Sequence, residues 1–276
     1  MNKTYHFLSG FPRTGNTVLS SILNQNPHFY SSPLGPVRQY MHMLESHSKV
    51  QEGLLRTGDY SGSDNVIRNV ITNYYENISK PVIFDRDKFW AEEDSFCLIT
   101  KYITKNPKII FTIRPVLEIL TSFFLVYKND PFKFIEAQMV NNKWNFNPNI
   151  TMDDNICDFI MRPEGGVFFN IISIEQVYKK ENKKHFHVVT YDELTNNPKK
   201  LMEELYEFIE QPFFIHNFSN IVKIENDNDL AVGMPENMHF VRSSISKKSF
   251  APESVLSDYV LTKDSPLDKW VRELTC

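Results

Sequence analysis

Four short apolar runs, each followed by a change of periodicity, constrain the fold of this chain more than any other feature. They are "YHFLS" (5–9), "PVIFD" (81–85), "KIIFTI" (108–113) and "HFHVVT" (185–190). Three of them carry little but apolar and β-branched residues at their centres, as strands covered on both faces do. The segments between them have helical spacing. Val18, Leu19, Ile22 and Leu23 share one face before Asn26-Pro27 ends the run. Val116 to Lys128 reads as a helix with Pro115 near its first turn, and Pro198 opens another whose stripe is Leu201, Leu205, Phe208 and Ile209. Alternating strands and helices predict an α/β fold, a parallel β-sheet flanked by helices on both faces. With no internal repeat and no low-complexity linker, residues 1–276 read as a single domain. Residues 214–249 have weak periodicity and several Asn and Asp residues, and are expected to form loops over the rim of a site.

Composition narrows the function classes. Hydrophobic residues make up 41% and charged residues 23%, so the chain is expected to fold into a globule. A net charge of −4 gives no electrostatic ground for nonspecific nucleic-acid binding. Cys97, Cys157 and Cys276 are widely spaced and form no CxxC pair, which fits reduced thiols. The N-terminus runs into a core strand without the basic segment and apolar run of a secretion signal, and no apolar stretch is long enough to span a bilayer. The expectation is a cytoplasmic protein with no nucleic-acid partner and no membrane span.

The turn after the first run carries the chemistry. Residues 10–17 read G-F-P-R-T-G-N-T between a predicted strand and a predicted helix. Such a turn presents backbone N–H groups and the positive end of the helix dipole to one point, where a phosphate fits. Gly15 lets the backbone approach an anion, Thr14 and Thr17 can add hydroxyl donors, and Arg13 can cover the anion with a planar, permanently charged fork. The Walker A pattern G-x-x-x-x-G-K-[ST] differs at one decisive place: its lysine, which reaches the β- and γ-phosphates, is Asn16 here. The loop therefore suits a single 5′-phosphate better than a triphosphate.

The stretch "FPRTGNT" resembles the 5′-phosphosulfate loop of the sulfotransferases, Pro-Lys/Arg-Ser/Thr-Gly-x-Thr. That resemblance implies a P-loop NTPase-like sulfotransferase fold and a donor, 3′-phosphoadenosine 5′-phosphosulfate (PAPS), released as 3′,5′-diphosphoadenosine (PAP). It implies a hydroxyl-bearing acceptor (a small molecule, a carbohydrate or a tyrosyl peptide) and no metal. Arg13, Thr14, Gly15, Asn16 and Thr17 would bind the cofactor's 5′ end. In "KIIFTIRPVLEILTSFF", Arg114 lies at a strand's C-terminal end, where open α/β sheets bind ligands, and Ser122 follows about two helical turns later. The family carries Arg and Ser at this spacing as ligands of the 3′-phosphate. Arg114 can equally form an ion pair with Glu118 one turn along. By the same resemblance Tyr191 in "TYDEL" lies near the adenine. Lys247, with Lys248 as second choice, belongs to a segment that folds over the nucleotide, although the Arg-Lys-Gly pattern of many cytosolic members is missing. The stretch "QNPHFYSSPLGPV" is similar to small bacterial members, including bacterial protein-tyrosine sulfotransferases.

In such a transfer, charge develops on the oxygen bridging sulfur and the 5′-phosphate, and the amides of residues 13–17 with Arg13 would meet it. The acceptor hydroxyl needs a base, and Asp85 at the end of the second run is the candidate. Arg86, Asp87 and Lys88 crowd the same turn, so Asp85 also suits an ion pair with Arg13 or Arg86; both readings stay open. His28 and His42 occupy no convincing position for the role. His185 and His187 would share a strand face but lack a third metal ligand. Phe132, Phe134, Trp144, Phe146 and Trp90 could line an aromatic acceptor pocket or pack the core. The rival functions are an ATP-dependent kinase or nucleotide hydrolase with a degenerate loop, and an inactive nucleotide-binding module.

Overall fold

The computed structural model describes residues 3–128, 146–161, 174–175, 177–178, 181–223, 239–246, 251–263, 269 and 271. Its centre is a five-stranded, all-parallel sheet of order β2-β3-β1-β4-β5. The strands are β1 Thr4–Gly10, β2 Phe29–Leu34, β3 Val82–Arg86, β4 Ile109–Ile113 and β5 Phe186–Thr190. Four of them are the four apolar runs. The fifth, β2, is absent from the sequence reading. Its Pro33 breaks the strand pattern, which the fold tolerates because β2 is an edge strand whose register shifts between Ser31 and Leu34.

Alternation along the strands builds two cores. Phe7, Ile83, Ile109, Phe111 and Ile113 face one side. Against them pack α2 (Val37–Ser48), α4 (Ser61–Tyr74), α5 (Glu93–Leu98), α6 (Val116–Tyr127) and α7 (Met152–Met161); α3 (Glu52–Thr57) joins α2 to α4 and buries no residue. Leu8, Phe84, Ile110 and Val189 face the other side, where α1 (Asn16–Leu23), α8 (Tyr191–Asn196) and α9 (Pro198–Phe208) cover them. A short helix, α10 (Asp258–Leu261), adds Val260 to the first core. The expected sheet with helices on both faces is therefore what forms. Thr190 opens α8 with a reciprocal capping box to Glu193, which fixes the direction in which the chain leaves β5. The described parts of residues 214–249 form no helix or strand; they pair through Ile221 N–H to Ser243 O (2.6 Å) and Ile245 N–H to Phe218 O (3.1 Å) and pack on the second core.

One core position carries a polar penalty. His6 lies on β1, 4% exposed, its ring 5.2 Å from that of Phe84, and neither nitrogen has a hydrogen-bond partner among the described residues. Burial, helped by the charge of Lys108, pushes its pKa down to about 4. An unfolded His6 takes a proton as pH falls through 6.5, and the folded one resists until about 4, so folding loses stability over that window. The loss can reach on the order of 3 kcal/mol. His6→Phe should flatten the fall in melting temperature between those two pH values, measured by calorimetry; parallel profiles for the two proteins would contradict this account.

Candidate functional site

The site is assembled where β1 and β4 end side by side. Gly10 closes β1 with φ 147° and lies so close to Thr112 of β4 that an added Cβ would come within 2.2 Å of its hydroxyl. The chain then turns through Arg13 (φ 64°) and Gly15 (φ 91°) into α1. A left-handed conformation at a non-glycine residue costs on the order of 1 kcal/mol and persists only where its surroundings hold it. Here they do. The Arg13 Nε–H donates to Ser122 Oγ on α6 (3.0 Å), and the Arg13 carbonyl accepts from Arg114 Nη1 (3.3 Å). The two anion-binding segments expected from the sequence thus meet through one residue.

Arg114 is 6% exposed. Its Nε donates to Glu118 (2.9 Å), so the ion pair left open by the sequence is made, and a second nitrogen of the same fork holds the loop after β1. The guanidinium lies 4.0 Å from the centre of the Tyr191 ring. Tyr191 also borders Gly15: a Cβ there would be 3.5 Å from the tyrosine ring and 2.7 Å from Leu194. Tyr191, Arg114, Arg13, Gly15 and Ser122 therefore form one contiguous cluster.

Two loop residues behave differently from expectation. The Thr14 hydroxyl is fully buried, donating to Phe11 O (2.6 Å) and paired with Thr112 Oγ1 (2.5 Å), so it tightens the turn and its side chain is not available to an anion. The Asn16 amide turns back on Phe11 O (3.3 Å) and Thr14 Oγ1 (3.4 Å), the opposite of a lysine reaching outward. Thr17 instead meets Arg86, whose Nη1 lies 3.4 Å from Thr17 Oγ1. Arg86 is 8% exposed; the sequence offers it only as an ion-pair partner of Asp85. The signal that finds it is strand alternation: on β3, Asp85 and Arg86 must face opposite sides, and α1 covers the side of Phe84 and Arg86.

Asp85 faces the other way and has no exposed surface. Its Oδ2 accepts from the Tyr75 hydroxyl (2.5 Å) and its Oδ1 from Trp90 Nε1 (2.6 Å). Burial pushes its pKa up to about 6 against those two hydrogen bonds. Both carboxylate oxygens expected to serve as a base thus already accept hydrogen bonds inside the core. Trp90 packs on Phe7 with ring centroids 4.8 Å apart and is a core residue rather than a pocket wall. His185, at the end of a 3-10 turn, is bound to Pro107 O (3.1 Å), while the His187 ring on β5 lies tilted at 32° against Phe208. Among the described residues no three His, Cys, Asp or Glu side chains are grouped to hold a metal, and no helix is long and apolar enough to cross a membrane. Lys247, Lys248, Phe132, Phe134 and Trp144 lie outside the described residues; Phe146 is largely exposed.

A family model described as "Sulfotransferase domain" matches residues 3–227. Among solved structures, the chain is similar to a sulfotransferase domain from the curacin biosynthetic pathway (TM-score 0.55, 16% identity, covering 100% of this chain and 98% of that one). It is also similar to the sulfotransferase domain of the Synechococcus PCC 7002 olefin synthase (TM-score 0.53, 15% identity, 99% and 94% covered). A third similar structure is mouse sulfotransferase SULT7A1 complexed with PAP (TM-score 0.53, 13% identity, 100% and 89% covered). No curated protein matches the chain in sequence.

The close approach of β1 to β4 at the loop's entrance yields a test of the geometry. Gly10→Ala must displace Thr112 backbone as well as its hydroxyl, and should cost about 3 kcal/mol in urea unfolding. Gly62→Ala, with nothing within 4 Å, should be neutral or stabilise by up to about 1 kcal/mol. Equal effects at the two positions would mean that β1 and β4 do not meet as described.

Proposed function

The chain belongs to the sulfotransferase family, and from that premise we propose that it takes the sulfuryl group from PAPS, passes it to a hydroxyl acceptor and releases PAP. The observation that carries this reading is the pair of contacts made by Arg13, to Ser122 through its side chain and to Arg114 through its carbonyl. Two cationic cradles joined edge to edge suit a nucleotide with phosphates at both 3′ and 5′ positions, which a triphosphate donor does not need. The PAP bound by the mouse protein of this fold supports the same donor class.

In this reading the first-turn amides of α1, Thr17 and the guanidinia of Arg13 and Arg86 grip the 5′-phosphate. They meet the negative charge that grows on the bridging oxygen as the S–O bond breaks, without reorganising at that moment. Arg114 and Ser122 hold the 3′-phosphate; a five-donor fork can keep its contacts to Glu118 and Arg13 and still serve an anion. Tyr191, against both Gly15 and Arg114, offers its face to the adenine. In-line transfer then depends on position and charge, not on a covalent intermediate. The inward-turned Asn16 leaves the loop without the cation that a kinase directs at the β- and γ-phosphates.

Thermal shift separates the donor classes: PAP should raise the melting temperature more than ATP with magnesium does, and the reverse order would favour a kinase. Arg13→Ala should lower turnover of PAPS by on the order of a hundredfold or more with the fold retained. Arg114→Ala should weaken PAP binding by about tenfold or more in calorimetry. Near-normal turnover in the first variant, or unchanged affinity in the second, would remove that residue from its role.

A further inference from the structure

With both Asp85 oxygens already hydrogen-bonded, the turn that follows β3 offers the acceptor's proton another destination. This turn is laid across the end of β1. Asp87 N–H donates to Leu8 O (3.2 Å), Ser9 Oγ donates to Lys88 O (2.8 Å), and Ala91 N–H donates back to Ser9 Oγ (3.2 Å). It starts at Arg86, which touches Thr17 of the anion loop, and ends at Glu92, the N-cap residue of α5. Glu92 is 9% exposed, its side chain caps nothing, and its Oε1 is buried without a hydrogen-bond partner among the described residues. A carboxylate oxygen kept from water and from protein donors costs free energy unless something polar completes it.

We infer that Glu92 is the base that receives the proton of the acceptor hydroxyl, the hydroxyl completing its unpartnered Oε1. This rests on the PAPS reading above. In the step, a lone pair on the acceptor oxygen forms the new O–S bond. The S–O bond to the 5′-phosphate breaks, its electron pair leaving on the phosphate, and the acceptor's proton moves to Glu92 and afterwards to solvent. The surroundings suit the role. Burial raises the Glu92 pKa to about 7; Arg38 of α2 and Lys88 of its own turn favour the carboxylate, while Asp87 and Asp94 of α5 oppose it. Arg38 is itself pinned to Asp87 (2.9 Å), and its guanidinium lies 4.8 Å from the Phe89 ring centre. His42, also on α2, reaches Ser95 at 3.4 Å and has its own pKa lowered by burial and by Arg38. A base poised near neutrality is what proton abstraction at physiological pH requires.

The experiment uses the full chain, labelled PAPS as donor, and 2-naphthol or water as the acceptor probe, with PAP binding measured in parallel. Wild-type turnover should rise with pH through about 7. Glu92→Gln should lose that rise and on the order of a hundredfold in rate, with PAP affinity unchanged, and Glu92→Asp should recover part of the rate. A Gln variant that turns over normally with the same pH limb would overturn the assignment. Where turnover is too slow to follow, the infrared band of the Glu92 carboxyl, identified by difference against the Gln variant, gives the second readout. Adding 2-naphthol to the PAP complex should shift it, and an unmoved band would overturn the assignment. Failure of the wild type to bind PAP would sink the donor reading instead, a result distinct from either.

Discussion

Arg13 joins the loop after β1 to the segment after β4. Its backbone is left-handed, its carbonyl is held by Arg114, and its side chain is held by Ser122. None of these contacts would exist if the two strands were not adjacent and parallel, because only then do both C-terminal ends open on one edge. The seam also places the Tyr191 ring against Arg114, and the missing side chain of Gly15 leaves room for Leu194 beside it. What the sheet contributes to function is therefore proximity of like charges. Arg13 and Arg114 meet there and Arg86 reaches Thr17 of the same loop, in a chain whose net charge is −4. Glu118 and the Arg13 carbonyl offset the charge of Arg114, and in the proposed reaction a bound anion would offset more of the cluster's charge.

The acidic side of the site obeys the opposite logic. Asp85 and Glu92 are both driven towards protonation by burial, but their partners differ. Asp85 is enclosed by Tyr75 and Trp90 and ties β3 to the first core. Glu92 keeps an oxygen with no partner among the described residues, and it lies at the end of a turn fastened to β1 by Ser9. Two carboxyl groups a few residues apart are thus separated by the alternation of a strand and the direction of a turn.

Much of this was legible in the sequence. Apolar runs of the right length marked four of the five strands, and the glycine spacing after the first marked the anion loop. Arg114 stood at a strand's C-terminal end, and Ser122 was legible only through the resemblance to the family's Arg and Ser at that spacing. Other features were hidden for identifiable reasons. Pro33 and two serines concealed β2, which survives because an edge strand needs only one partner. The Thr14 hydroxyl looked like an anion donor, but donors inside a tight turn are claimed by nearby carbonyls first. Asp85 and Arg86 were read as one charged cluster, whereas strand alternation sends them to opposite cores. Glu92 offered no motif at all; only burial without a partner singles it out.

The central claim is that the joined cradles grip both phosphates of one adenosine. Calorimetry on the wild-type chain with PAP, adenosine 5′-phosphate and adenosine 3′-phosphate tests it most directly. The account predicts that PAP binds more tightly than either monophosphate by about a hundredfold or more. Affinity for PAP no greater than that for adenosine 5′-phosphate would contradict it, for the Arg114 side of the seam would then hold no phosphate.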